Sequence, residues 1–123
     1  MNEYHYVNGM STQAVLPYNN VVGKAIEERR TQAGLTQADL AAVLQLGQSG
    51  YSKLESGQAA MTVAQLRLIA SKLNCKPHEI LKRADELASK LESSGVEVPA
   101  KKDDNKAAVL IGLGLLLALM SKS

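Results

Sequence analysis

The twenty-two residues TQADLAAVLQLGQSGYSKLESG, Thr36 to Gly57, constrain the fold more than any other part of the chain. They hold two short apolar patterns with helix punctuation around each. Behind Thr36, a good N-cap, Leu40, Ala41 and Leu44 fall on one helical stripe. After Gly47, Tyr51 and Leu54 point inward on a second stripe, which closes at Gly57, where a left-handed cap residue is wanted. The segment therefore reads as two short helices joined by a tight turn, an arrangement that lets the second helix project from the body of a domain.

Helical patterns flank this pair on both sides. From about Asn20, Val21, Val22, Ala25, Ile26, Arg29 and Arg30 keep a 3.6-residue spacing up to a stop at Gly34. Downstream, Thr62 with Gln65 makes a capping box for a fourth helix with Val63, Leu66, Ile69, Ala70 and Leu73 as its stripe, ending at Asn74. Pro77 suits the first turn of a fifth helix running to about Leu91, with Ile80, Leu81, Ala84, Leu87, Ala88 and Leu91 on its apolar face. The steps 80, 84, 87 and 91 alternate four and three, a seam that either pairs with a second copy of itself or faces an ordinary core. The chain has 46% hydrophobic but only 3% aromatic residues, with no Trp and no Phe, so its core is built from Leu, Ile, Val, Ala and Met. That palette suits packed helices better than a β-sandwich.

The expected organisation is an all-α chain. Residues 1–19 form a flexible N-terminal arm with a short ordered piece at Ala14 to Leu16, and residues 20–91 a five-helix domain. Residues 92–106, which include SSGVEVPAKKDDNK, form a polar linker, and residues 107–120 a C-terminal hydrophobic helix. The run AAVLIGLGLLLALM has no polar side chain. As a helix it spans about 21 Å, short of the roughly 30 Å hydrocarbon core of a bilayer. Lys106 and Lys122 flank it and can reach headgroups, which allows a tail anchor. The other readings are a helix buried in an oligomer or against a hydrophobic partner, and a disordered or degradation-prone end. The linker, which sets the run apart from a domain already complete, favours the anchor.

The segment from Val22 to Leu81, with GLTQ at Gly34 to Gln37 and QSGYSKLESG at Gln48 to Gly57, resembles the Cro/repressor-type (XRE) helix-turn-helix family. The resemblance implies a phage-repressor-like fold whose third helix enters the DNA major groove. It implies that Gln37 touches a phosphate and braces the recognition helix. It further implies that Gln48, Ser49 and Ser52 face base edges, that Lys53 reaches a phosphate or a guanine, and that Arg30 and Glu55 form a structural ion pair. The chemistry agrees, since a Gln amide matches the N6 and N7 edge of adenine in a bidentate pair, and a projecting helix fits a groove about 12 Å wide. Backbone N–H groups at the starts of helices two and three add dipole ends that favour phosphates. Two residues depart from the family pattern: Gly47 stands where Ser or Thr usually caps the recognition helix, and Gly50 where a side chain often reaches the groove.

The remaining features exclude more than they suggest. A formal charge of +2 means that any basic footprint is local. The single cysteine, Cys75, can form neither an intramolecular disulfide nor a metal cage, which fits a reducing compartment; it reads as a buried structural thiol. His5 and His78 are too far apart for a metal site, and no phosphate loop, paired catalytic carboxylates or nucleophile motif is present, so neither a cofactor nor an enzyme is expected. Residues 1–20 lack the pattern of a secretory signal. The expected function is a sequence-specific transcriptional regulator: a dimeric repressor on double-stranded DNA, cytoplasmic, and attached to the inner membrane if residues Ala107 to Met120 insert. The alternatives are an antitoxin-type regulator, and an interaction protein that no longer binds DNA and assembles through its hydrophobic C-terminal helix.

Overall fold

The computed structural model describes residues 13–121 together with the backbone of residues 6, 7, 10 and 11. It divides into two compact units, Asn19–Asp85 and Met1–Tyr18 with Glu86–Ser123. The flexible arm expected for residues 1–19 falls in part, at residues 1–5, 8, 9 and 12, outside the described residues, as do His5 and Lys122.

The Asn19–Asp85 unit is built from α1 (Tyr18–Gln32), α2 (Gln37–Val43), α3 (Gln48–Glu55), α4 (Val63–Lys72) and the first half of α5 (Pro77–Ser93). Side-chain caps fix where two of these helices begin. Thr36 Oγ1 accepts from the Asp39 N–H at 3.1 Å while Asp39 Oδ2 accepts from the Thr36 N–H at 2.8 Å, and Thr62 and Gln65 repeat the exchange ahead of α4. Left-handed residues fix where helices end: Gly34 and Gly57, but also Gln45 and Asn74, each with φ near +57°. Val21, Ala25, Ile26, Leu40, Ile69, Ala70, Ile80 and Ala84 are buried, as their spacing predicts. Val63 departs from its predicted stripe and is 85% exposed, because the buried residues of α4 come from its later turns. An ion pair ties α1 to α5, with Arg83 Nε and Nη2 donating to the two Glu28 carboxylate oxygens at 2.8 and 3.0 Å.

In the second unit, strands β1 (Tyr6–Val7) and β2 (Met10–Ser11) pair antiparallel, and the later half of α5 is followed by α6 (Lys106–Ser121). Residues 13–18 are held by backbone bonds. The Val15 N–H donates to Ala108 O at 3.0 Å, that of Leu16 to Glu97 O at 2.8 Å, and that of Tyr18 to Pro99 O at 2.8 Å. Gln13, only 6% exposed, donates to Gly95 O at 2.6 Å. The segment read as linker therefore carries pairing partners at Gly95, Glu97 and Pro99, and buries Val96. Asn105 caps α6, its Oδ1 accepting from the Ala108 N–H.

The apolar run differs from its expectation as a segment apart from the rest. Ala108, Gly112 and Leu116, spaced by four, are buried. A Cβ on Gly112 would collide with the Val15 carbonyl oxygen, so glycine is what lets α6 lie against this stretch of backbone. No helix among the described residues is long and apolar enough to cross a membrane, so the tail anchor gains no support. The α5 seam also resolves: Ile80, Ala84, Leu87 and Leu91 are all buried within the chain, and its residues are not available for pairing with a second copy.

Two helix-interior glycines carry opposite expectations. Gly23 in α1 is where α3 comes closest, since a Cβ there would collide with the Glu55 carbonyl oxygen. A Cβ on Gly50 in α3 would meet only Leu46 Cβ at 3.8 Å, an ordinary contact. Gly23→Ala should cost about 2 kcal/mol through overpacking despite its better helix propensity. Gly50→Ala should gain up to about 1 kcal/mol. Urea unfolding followed by circular dichroism checks both signs.

Candidate nucleic-acid interface

Helix α3 has two chemically distinct sides. Tyr51, Leu54 and Glu55 are buried, while Gln48, Ser49 and Lys53 are exposed and Ser52 is half-buried. Positions 48, 49, 52 and 53 are related by three and four residues, so the four polar side chains share one face. Among the described residues none of these four side chains takes part in a hydrogen bond. The inner side is locked and the outer side is left to solvent.

The lock is the Glu55 carboxylate. It is 2% exposed and accepts four hydrogen bonds: from Arg30 Nη2 and Gln37 Nε2 on Oε1, at 2.9 and 3.2 Å, and from Arg30 Nε and the Tyr51 hydroxyl on Oε2, at 2.9 and 2.6 Å. Arg30 Nη1 also donates to Leu35 O at 3.0 Å, in the connection between α1 and α2. One carboxylate thus joins α1, α2 and α3. Burial pushes its pKa up, but the bonds from Arg30, Tyr51 and Gln37 outweigh that and hold it below the usual carboxylate range. Burial, together with the bond it donates to Glu55, pushes the Tyr51 phenol far up, so it stays a donor at any physiological pH.

Gln37 sits at the start of α2, half-buried, and reaches α3 through Glu55. The two helix starts expected to meet phosphates differ. At α2, Asp39 is exposed and held charged by its bond from the Thr36 backbone, so a carboxylate already occupies that end. At α3, Gly47 has the extended conformation of an N-cap but gives no side-chain bond, and the first turn holds no acidic residue. That end is open to an anion.

Other sequence readings shift in detail. Cys75 is half-buried rather than buried and lines an open cleft of about 460 Å³ with Arg67, Ser71, Lys76, Pro77 and His78. Burial raises its thiol, which keeps it protonated and a poor nucleophile. Among the described residues no group of three acidic, His or Cys side chains could hold a metal ion. The part of Tyr51 in the carboxylate network was missed; its only sequence signal is a tyrosine four residues before an acid on one helix face.

The carboxylate network has a consequence for stability against pH. Because the folded carboxyl is depressed relative to a free Glu near pKa 4.3, its stabilisation is complete above that pH and is lost as pH falls through the lower folded value. Glu55→Gln should cost about 3 kcal/mol at neutral pH by leaving Arg30 buried without its counter-charge. The variant should also lose part of the acid sensitivity below about pH 4.3, which urea titrations across pH 2 to 7 would show.

Residues 26–80 match the family model described as helix-turn-helix. Two crystal structures of the clp gene regulator ClgR from Corynebacterium glutamicum share the fold, each with a TM-score of 0.53. They are 22% and 23% identical, over 56% and 63% of this chain and 90% and 93% of theirs. Among curated proteins none matches significantly in sequence. The matched residues span α2, the turn and α3, with α4 behind them, so this part of the chain is similar to the helix-turn-helix family and shares its fold with the solved regulators.

Proposed function

We propose that this protein is a sequence-specific DNA-binding transcriptional regulator that acts in the cytoplasm as a dimeric repressor, with α3 in the major groove. The observation that carries the reading is the outer face of α3, where Gln48, Ser49, Ser52 and Lys53 lie together while the opposite side is fixed through Glu55. Precise placement of a few polar groups is what base readout requires, since each good bidentate pair discriminates by only about 1–3 kcal/mol. Gln48 is the adenine reader in this assignment, Ser49 and Ser52 contact neighbouring bases, and Lys53 meets a phosphate or a guanine. The uncapped start of α3 receives a backbone phosphate, and Gln37 contributes through its hold on Glu55 and through a phosphate on its outer side. The solved relatives, named as a gene regulator, are consistent with this role. Two copies on half-sites one DNA turn apart would follow the usual geometry of such domains. Repression follows if the occupied operator overlaps a promoter. The reading gives the hydrophobic C-terminal helix a packing role rather than a membrane anchor, in keeping with the burial of Ala108, Gly112 and Leu116.

Selection from a random duplex library supplies the DNA for the test. Gln48→Ala should weaken binding to the selected site by roughly 5- to 150-fold, the equivalent of 1–3 kcal/mol, with little effect on unrelated duplex. Lys53→Ala should weaken binding to both and reduce the slope of log affinity against log salt by about 1. Selected-site binding that is indifferent to both substitutions would refute the assignment.

A further inference from the structure

The end of α4 and the start of α5 border the open cleft of about 460 Å³, which has no part in the DNA-facing side of α3. Arg67 and Ser71 line it from α4, one helical turn apart, and Cys75, Lys76, Pro77 and His78 line it from the connection and the first turn of α5. No acidic residue is among them. Arg30 and Arg83 spend their guanidinium groups on Glu55 and Glu28, but among the described residues the side chains of Arg67, Ser71, Lys76 and His78 make no hydrogen bond or salt bridge with the chain.

The acid nearest in sequence is already engaged. Glu79 Oε2 accepts from the Lys76 backbone N–H at 2.7 Å, and that bond, with the charges of Arg29, His78 and Lys76, holds the carboxyl below its usual range. Arg29 of α1 also stands beside Cys75, where burial raises the thiol and the guanidinium opposes the rise. The thiol stays neutral and brings no negative charge. The cleft therefore joins two unpaired permanent cations, Arg67 and Lys76, to a third, Arg29, behind Cys75, against one carboxylate spent on the helix start.

The geometry points to a binding site for a small polyanion of the phosphate class, a pyrophosphate group or a phosphorylated small molecule, held between Arg67 and Lys76. The inference is independent of the DNA reading. The Arg67 fork takes two phosphate oxygens, Lys76 meets a second negative group as a point charge, and the Ser71 hydroxyl and a His78 ring N–H donate to oxygens left over. Cations from separate elements suit a ligand that carries charge on more than one group. The volume lies within the range of small-molecule sites. A concave cleft fits such a ligand better than it fits duplex DNA, which presents its phosphates on a convex surface. Because the cationic side chains are exposed, each contact is weak by itself and the affinity is modest, with Kd on the order of 0.1–1 mM.

The test uses the full chain, the double variant Arg67→Gln/Lys76→Gln, and Lys101→Gln/Lys102→Gln, which removes the same charge from two exposed lysines elsewhere. Circular dichroism confirms that each is folded. Calorimetric titration with sodium pyrophosphate at constant ionic strength should show one site per chain in the parent and in the Lys101/Lys102 variant, weakened at least tenfold in the Arg67/Lys76 variant. Amide shifts of the labelled parent should move at Ser71 and from Cys75 to His78. A parent that does not bind pyrophosphate overturns the proposal, and so does equal weakening in the two variants, the mark of general attraction to positive charge. Titration with unrelated duplex separates the other source of phosphate: the slope of log affinity against log salt should be the same in the parent and the Arg67/Lys76 variant. A slope smaller by about 2 in that variant would assign the cleft to the DNA backbone and overturn the proposal.

Discussion

A carboxylate held away from water needs a donor for each of its lone pairs, and Glu55 has four donors on three helices. Arg30 reaches it from α1, Gln37 from α2 and Tyr51 from within α3. The rest of the domain is arranged so that these groups can meet. Gly23 lets α1 approach the Glu55 backbone, and the caps at Thr36 and Gly57 set the ends of the two short helices. A pair of helices of seven and eight residues has little stability of its own. The ionic contact supplies orientation that their few apolar contacts cannot, and orientation is what a recognition helix needs.

Much of this was legible in the sequence because the signals are local. Thr62 with Gln65, Pro77, Gly34 and Gly57 each act within one helical turn, and the structure places their helix ends where the residues predict. The left-handed ends at Gln45 and Asn74 differ. Asn74 was legible as a stop because Asn tolerates that conformation, whereas Gln45 has no such preference and the turn geometry imposes it. Of the candidate site, the family resemblance named Gln48, Ser49, Ser52 and Lys53, which helical period places on one face, and the Arg30–Glu55 pair behind them. The part of Tyr51 was not legible, because whether it turns its hydroxyl toward Glu55 depends on how α1 and α2 close around α3.

The C-terminal half was the least legible part. Glycine and charge made residues 92–106 resemble a linker, and fourteen apolar residues resembled an anchor. Backbone pairing of residues 15–18 with Glu97, Pro99 and Ala108 carries no side-chain signature, so sequence pattern does not reveal it. What the sequence did contain was Gly112, whose missing Cβ makes room for the Val15 carbonyl. A glycine inside an otherwise apolar helix is a hint of close backbone approach, and at Gly112 the hint holds.

The central claim is that the outer face of α3 meets DNA while its inner face stays fixed through Glu55. Amide and side-chain chemical shifts of the labelled full-length protein, followed as selected duplex is added, test it most directly. The account predicts that the largest changes fall on Gln48, Ser49, Ser52 and Lys53 and on the amides after Gly47, with Gln37 next and the buried carboxylate network little altered. Changes confined to other helices, with α3 silent, would contradict it.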